Sequence, residues 1–511
     1  MLRGPAQRSE SIVDCIAHAA QAADSCHGVY GADGLYSYAA LYERVIGRAA
    51  RLQRLGVKGG DRVVLLATTS LFHMEAWFAI VVAGGIVVDL NPSLTVAELG
   101  EMICVASPKV IVAEAGDLVE LSELESPRLI VVVGDELGGD PERYRMVRRC
   151  GDDIATICFT GGTTGHPKGA CLTHNNHLAN AKNYIIALDL QALDSYLHVA
   201  PLHHTAGTMN LLAMTWLGAT QSFLPKFSPE QFLAAVERYK VSFTLLVPAL
   251  IHRLLRSRRL TGSYDLLSWK KTIYGTAPLP LGHLQEAMAI FPGEWYQGYG
   301  TTETSPLATM LTSSDHREGK WERLTSAGRA MLGVRIEVRG ENGRGLAIGE
   351  AGEICVAGPT VMAGYWLEDA ATSCAFTDDG WYRTGDVGRI DQDGYVTILD
   401  RIKDMIIVGG EKVWSAEVER AIGLHADVEE VAVIGLRDTV RGERVHAEVV
   451  LRGGATTDPE TILKTAARVL APWKRPRSLS IRSSPLPRTA LGKIAKQVVR
   501  DEVASGALGT R

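Results

Sequence analysis

Hydrophobic positions along the chain alternate between two periods. From Arg62 onward, short apolar runs trade places with stretches whose apolar residues recur every three to four positions: RVVLLA, residues 74–82, GGIVVDL, TVAELGEMICVA and KVIVAE. Such alternation predicts βαβ units. It resumes after residue 169 with SYLHVAP, GTMNLLAMTWLGA, TQSFLP, SPEQFLAAVERYKV, SFTLLVP, KTIYG and a helix over residues 281–291. The bulk of the chain is therefore expected to be a doubly wound α/β body.

Past residue 328 the period shortens to two. VRIEVRG, GEICVAG and GRIDQDGYVTILD, with their Asp-Gly and Asn-Gly turns, read as antiparallel hairpins of a small β-rich subdomain. After DRIKD the pattern is mixed again: VWSAEVERAIGLH and TTDPETILKTAARVL as helices, VEEVAVIGL and RVHAEVVL as strands. The change places a boundary near Lys403, giving domains 1–402 and 403–511. There is no internal repeat, low-complexity segment or long charge run.

Composition narrows the function classes. At 511 residues the chain exceeds what one core usually supports, and 46% hydrophobic with 22% charged residues is ordinary for a globular protein. A net charge of −5 gives no global field toward nucleic acid or acidic membrane. The eight cysteines never form C-x-x-C, against both a zinc cage and a secreted disulfide framework, so a reducing cytoplasm is expected. MLRGPAQRSESIVD lacks the apolar core of a signal peptide, and the most apolar run, residues 76–90, is interrupted by Asp89, so no membrane span is expected. The closing LGTR is neither an organelle address nor a lipidation box.

Candidate chemistry begins at FTGGTTGHPKG, residues 159–169. Glycines permit close backbone approach, threonines donate hydrogen bonds and a lysine adds positive charge, a combination suited to a polyphosphate. TICFT before it reads as a strand and THNNHLANAKNYI after it as a helix, so a strand, glycine loop and helix are expected in the usual phosphate-binding setting. The loop fits neither a Walker A nor a kinase pattern. Adjacent His203 and His204 should not converge on one metal, and HNNH at 174–177 reads as a helix start.

The loop resembles the signature of the adenylate-forming (AMP-binding) superfamily, which includes acyl-CoA synthetases, peptide-synthetase adenylation domains and firefly-type luciferases. Further motifs stand in the family order: PLHHTAG (201–207), YGTTE (299–303), GEICVAGPTVMAGYW (352–366), YRTGD (382–386), DRIKDMIIVGGEKVWSAEVE (400–419) and PRTALGK (487–493). Gly161 departs from the usual serine and removes one hydroxyl. The resemblance implies a large N-terminal domain of two doubly wound α/β subdomains and a small β-barrel-like subdomain, then a mobile α+β C-terminal domain. It implies a carboxylic acid–CoA ligase that forms an acyl-adenylate, releases pyrophosphate and passes the acyl group to coenzyme A.

Residue roles follow from the same resemblance. Thr160, Gly161, Gly162, Thr163, Thr164, Gly165 and Lys168 would hold the β- and γ-phosphates of ATP; Glu303 would bind Mg²⁺ and Thr302 touch the α-phosphate. Gly275, Thr276, Ala277, Tyr299, Gly300 and Thr301 would line the nucleotide, and Asp386 would accept from the ribose hydroxyls, with Arg401 on ribose or phosphate. Lys493 would bridge carboxylate and α-phosphate as the main catalytic cation. Lys403 would be the hinge, Gly409 and Gly410 would line a pantetheine tunnel, and Trp473, Lys474, Arg475 and Arg477 compose a candidate coenzyme A surface, against a plain basic loop.

His204 matches a position that gates the acid. Acid-pocket positions are His204, Thr205, Ala206, Gly207, Gly275, Thr276, Ala277, Gly298, Gly300, Ser305 and Pro306. None is an aspartate in the segment where amino-acid-activating relatives carry one to pair a substrate ammonium, so an amino acid is disfavoured. Because nearly all are small, a roomy apolar cavity for a bulky cyclic, aryl or medium-chain acid is expected. Expected partners are a small-molecule carboxylic acid, with an acyl carrier protein or an amine as alternative acceptor, a homodimer as candidate assembly, and no nucleic acid. A luciferase-like oxygenase has no supporting feature, and a non-catalytic binding protein would be expected to lack Lys493, Glu303 or Asp386.

Overall fold

The computed structural model describes residues 10–22, 27–114, 130–160, 167–317, 321–488 and 494–505. The chain divides into two compact units: Met1–Pro278 with His283–Ile336 and Val356–Tyr382, and Leu279–Gly282 with Glu337–Cys355 and Arg383–Arg511.

The first unit contains two large sheets. In one, the order is Gly364–Tyr365, Lys168–Thr173, Ile154–Thr160, Ile86–Leu90, Arg62–Leu66, Val110–Ala113 and Ile130–Val133. Its middle is parallel, with Leu65 opposite both Asp89 and Val112. The nine-stranded sheet centres on Ser195–His198, Phe243–Leu246, Lys271–Gly275 and Glu294–Tyr299, also parallel. These are the apolar runs of the sequence, so the doubly wound expectation holds.

Local chemistry sets the helix starts. Thr95 with Glu98, and Thr173 with Asn176, form capping boxes at Val96–Ala106 and His174–Leu188. Ser228 caps Pro229–Arg238, whose proline needs no amide at that position. Helix Leu71–Val82 is apolar around most of its circumference, with only His73 and Glu75 polar, and is buried from His73 to Val82.

The second unit carries a four-stranded sheet, Arg335–Arg339, Gly352–Ala357, Tyr382–Ile390 and Val396–Arg401, whose residues fall mainly within it. It also holds a five-stranded sheet in which Val428–Asp438 and Gly442–Leu451 pair antiparallel. Helices Ser415–Ile422 and Pro459–Ala467 supply Val418, Ile422, Ile462 and Ala466 to one core against Val433 and Val449. Val499 of helix Lys496–Ala504 joins a second core with Ala432, Ile434 and Leu486.

Candidate functional site

One expectation fails at the glycine loop. Ile154–Thr160 is a strand, but a second strand, Lys168–Thr173, returns antiparallel to it, with Thr160 opposite Lys168 and Cys158 opposite Ala170. The helix starts only at His174, so roughly 20 Å of extended chain separates the loop from its N-terminus. The loop is thus flanked by two antiparallel strands and does not lead directly into a helix, because KGACLT extends the sheet. Gly161, Gly162, Thr163, Thr164 and Gly165 lie outside the described residues. Thr160 and Lys168 hold the root, where the Thr160 hydroxyl donates to the Lys168 carbonyl at 3.4 Å.

The hairpin brings Lys168 beside YGTTE. Tyr299 ends strand Glu294–Tyr299, and Thr302 and Glu303 open a short 3₁₀ turn, Thr302–Thr304, tied by Thr301 N–H donating to Thr304 Oγ1 at 2.9 Å. Glu303 is buried, and the Tyr365 hydroxyl donates to its Oε1 at 2.9 Å. Lys168 Nζ lies 5.5 Å from the centroid of the same Tyr365 ring. Tyr382, buried, approaches Thr301 Oγ1 at 3.5 Å. Burial, then the charge of Glu303, pushes both phenols well above their ordinary range, so both stay neutral.

Could this site hold magnesium? Mg²⁺ prefers hard oxygens and takes one or two carboxylates together with substrate phosphates. Among the described residues no cluster of three or more His, Cys, Asp or Glu forms a preformed metal cage. One oriented carboxylate at the root of a phosphate-type loop fits a magnesium brought in by a polyphosphate.

Backbone packing explains the small residues. A Cβ on Gly275 would stand 2.4 Å from Gly298 O, one on Gly300 2.0 Å from Pro306 O, and one on Gly207 2.1 Å from Pro201 O. At Gly298 it would meet the Leu307 side chain at 2.5 Å. These glycines are filled by their neighbours, so the inference from glycine to a roomy cavity is corrected: they permit close packing and open no space. Thr276, by contrast, holds φ +67°, a left-handed conformation unusual for a β-branched residue, and its side chain is exposed. Ala277 is half-buried and Ser305 buried, with Ser305–Pro306 cis.

His204 occupies the N-cap of helix Thr205–Trp216, with Thr205 and Ala206 in its first turn, and its ring centroid lies 4.3 Å from that of His203. Below it is a polar group that the motifs did not point to. Thr69 Oγ1 accepts from Leu202 N–H at 3.1 Å, and the buried His73 places Nε2 2.8 Å from Asp89 Oδ2 and Nδ1 3.1 Å from the Ala67 carbonyl. Burial works to lower the His73 pKa, but Asp89 overrides it and the net shift is upward. His203 goes the other way: burial takes it down to about 4 against the pull of Asp89. An aspartate inside the most apolar run was the available signal.

The remaining candidates stand in the second unit. Asp386 is buried, opposite Arg401 in the sheet, and Arg401 Nε lies 2.8 Å from its Oδ1. Lys403 is exposed in the 3₁₀ turn Ile402–Asp404. Gly409 and Gly410, at φ +61° and +88°, make the two-residue turn between Ile406–Val408 and Glu411–Val413, a geometry that favours glycine. Lys474 pairs with Glu417 at 2.8 Å and Arg475 donates to the carbonyls of Leu470 and Ala467, so these two cations serve the fold, while Trp473 and Arg477 are exposed. Lys493 lies outside the described residues. Asp400, buried, accepts from the amides of Ser415 and Ala416 at the start of a helix, a role that the DRIKD motif it opens does not announce.

Comparison with known proteins joins these pieces. The AMP-binding enzyme model matches residues 16–366, and the model of the AMP-binding enzyme C-terminal domain matches residues 417–493. The chain belongs to the AMP-binding enzyme family. A feruloyl-CoA synthase of Amycolatopsis sp is 35% identical over 469 residues, 91% of this chain and 93% of that protein. An indoleacetate–CoA ligase of Aromatoleum aromaticum is 33% identical, covering 92% and 93%. A crystal structure of ATP-bound MatB from Rhodopseudomonas palustris superposes with TM-score 0.86 at 32% identity, covering 96% and 98%. The chain is an AMP-binding enzyme of the acid–thiol ligase branch, with the mixed α/β fold of that family. Among its described residues no helix is long and apolar enough to cross a membrane.

Proposed function

We propose that this AMP-binding enzyme is an ATP-dependent carboxylic acid–CoA ligase for a bulky cyclic, aryl or medium-chain acid. A carboxylate resists nucleophiles, since its charge repels them and oxide would have to leave. Its oxygen therefore attacks the α-phosphorus of ATP, the bond to pyrophosphate breaks, and a mixed anhydride forms. The thiol of coenzyme A then adds to the carbonyl, AMP departs and the thiol proton is released.

Each group in the first step has a charge to offset. Thr160, the glycine tip and Lys168 serve the leaving phosphates; Thr302 serves the α-phosphate; Asp386 and Arg401 serve the ribose. Glu303 would hold Mg²⁺, which supplies charge neutralisation at the phosphate oxygens. Lys493, carried by the segment after the Lys403 pivot, serves the carboxylate. His204 at its helix N-cap forms the wall beside the acid, and Gly409, Gly410 and Trp473 the route of the thiol.

The observation that carries this proposal is Glu303, a buried carboxylate aimed by Tyr365 beside Lys168 at the hairpin root. The aryl preference is supported by the names of the two curated relatives, feruloyl-CoA synthase and indoleacetate–CoA ligase. A panel of aryl, cyclic, fatty and short acids, assayed for pyrophosphate release with and without coenzyme A, tests both parts. Release with thioester formation for aryl acids is expected; no pyrophosphate from any acid would end the proposal.

A further inference from the structure

Tyr365 sits where three stretches of chain meet. Its two-residue strand, Gly364–Tyr365, pairs with the strand that begins at Lys168, placing Tyr365 opposite Ala170. Flanking bonds secure it: Ala363 N–H donates to the Cys171 carbonyl at 2.9 Å and Trp366 N–H to the Gly169 carbonyl at 2.8 Å. Met362 N–H donates to the carbonyl of Glu303 at 2.8 Å, and Tyr365 N–H to Thr372 Oγ1 at 2.9 Å. The backbone under Tyr365 is therefore fixed to both the hairpin and the YGTTE turn. From that base its hydroxyl reaches Glu303 and its ring face meets Lys168.

An ammonium and a carboxylate that contact the same side chain would pair with each other if free to meet. Here, among the described residues, neither Lys168 nor Glu303 forms an ion pair, and a neutral phenol contacts both. We propose that Tyr365 is a positioning residue that keeps Lys168 and Glu303 apart, its hydroxyl aiming the carboxylate at the metal position and its ring holding the ammonium ready for phosphate. This rests on the ligase proposal and extends it, since neither group needs to break a mutual salt bridge before magnesium and polyphosphate arrive.

Two substitutions separate the parts. Tyr365→Phe keeps the ring and its packing and removes only the hydroxyl; Tyr365→Ala also removes the spacer. The direct readout is binding of Mn²⁺ in the presence of a non-hydrolysable ATP analogue, followed by the electron paramagnetic resonance signal of free Mn²⁺. Pyrophosphate release and thioester formation from supplied acyl-adenylate are measured alongside. Tyr365→Phe should weaken Mn²⁺ binding about tenfold, the size of a hydrogen bond to a charged acceptor, with acyl transfer from adenylate unchanged. Tyr365→Ala should lose more and should also weaken binding of the metal-free nucleotide analogue as Lys168 turns to Glu303. Wild-type Mn²⁺ affinity in Tyr365→Phe overturns the aiming role, and equal losses in the two variants overturn the spacer role. Failure of the wild-type protein to release pyrophosphate would instead overturn the ligase proposal.

Discussion

In the first unit, Glu303 and Lys168 face the hydroxyl and the ring of a tyrosine, whereas in the second unit Asp386, Glu419 and Asp400 are already matched within the fold. There Asp386 pairs with Arg401, Lys496 with Glu419 at 2.7 Å, and Asp400 with the first amides of helix Ser415–Ile422. Ions held by neutral partners keep most of their attraction for an incoming ion. Those already matched inside the protein have spent it on shape. On the proposed function, the contrast separates charges left for a ligand from charges matched within the fold, and Asp386 with Arg401 is a pair expected to reopen toward a ribose.

Acid should break this comparison most severely. His174 and His198 are taken down to about 4 and His177 to about 3, each chiefly by burial, and all lie in the first unit. Above pH 6.5 they are neutral whether folded or not. As pH falls from 6.5 toward 4 the unfolded chain binds protons that the folded one refuses, so stability drops by about 1.4 kcal/mol per pH unit for each. Hydrogen exchange resolved by peptide should find the first unit opening in this window. His73, with its pKa raised, acts oppositely: its contribution is present below 6.5 and fades as pH rises through its folded value.

Catalysis should separate next. Lys493→Ala is expected to slow pyrophosphate release by roughly 10²-fold while sparing acyl transfer from supplied adenylate; equal loss in both steps would refute the two-stage assignment. Asp386→Ala should raise the KM for ATP by about 10- to 100-fold, as charged hydrogen-bond acceptors are lost, and unchanged kinetics would remove the ribose role. Asp400→Asn, the smallest effect, should cost about 1–2 kcal/mol by weakening a helix N-cap. Calorimetry should place that loss in the second unit and leave the first unchanged.

Much of the fold was legible because apolar runs of fixed length admit few alternatives. KVIVAE, SFTLLVP and KTIYG hold strands, and SPEQFLAAVERYKV holds a helix that begins at the proline of its Ser-Pro signal. KGACLT was not legible: six residues without strong alternation hid the second arm of the hairpin. Among candidate site residues, motif position singles out Glu303, Asp386 and Lys168. Tyr365 stood inside a quoted motif without a role, since its importance lies in a contact with residues 62 and 197 positions away. Glycine misleads in another manner: Gly207, Gly275, Gly298 and Gly300 promise space in the sequence, when facing main chain or leucine already occupies it. A sequence records the absence of a side chain and not what fills the gap.

That filling limits how such an enzyme can be retuned. Libraries that randomise the four crowded glycines would mostly return misfolded protein, whatever acid was desired. If the proposed acid pocket is right, diversity belongs at neighbours that already carry a Cβ, Thr205, Ala206 and Ala277 first, and a change of substrate would proceed by remodelling walls around an unyielding frame.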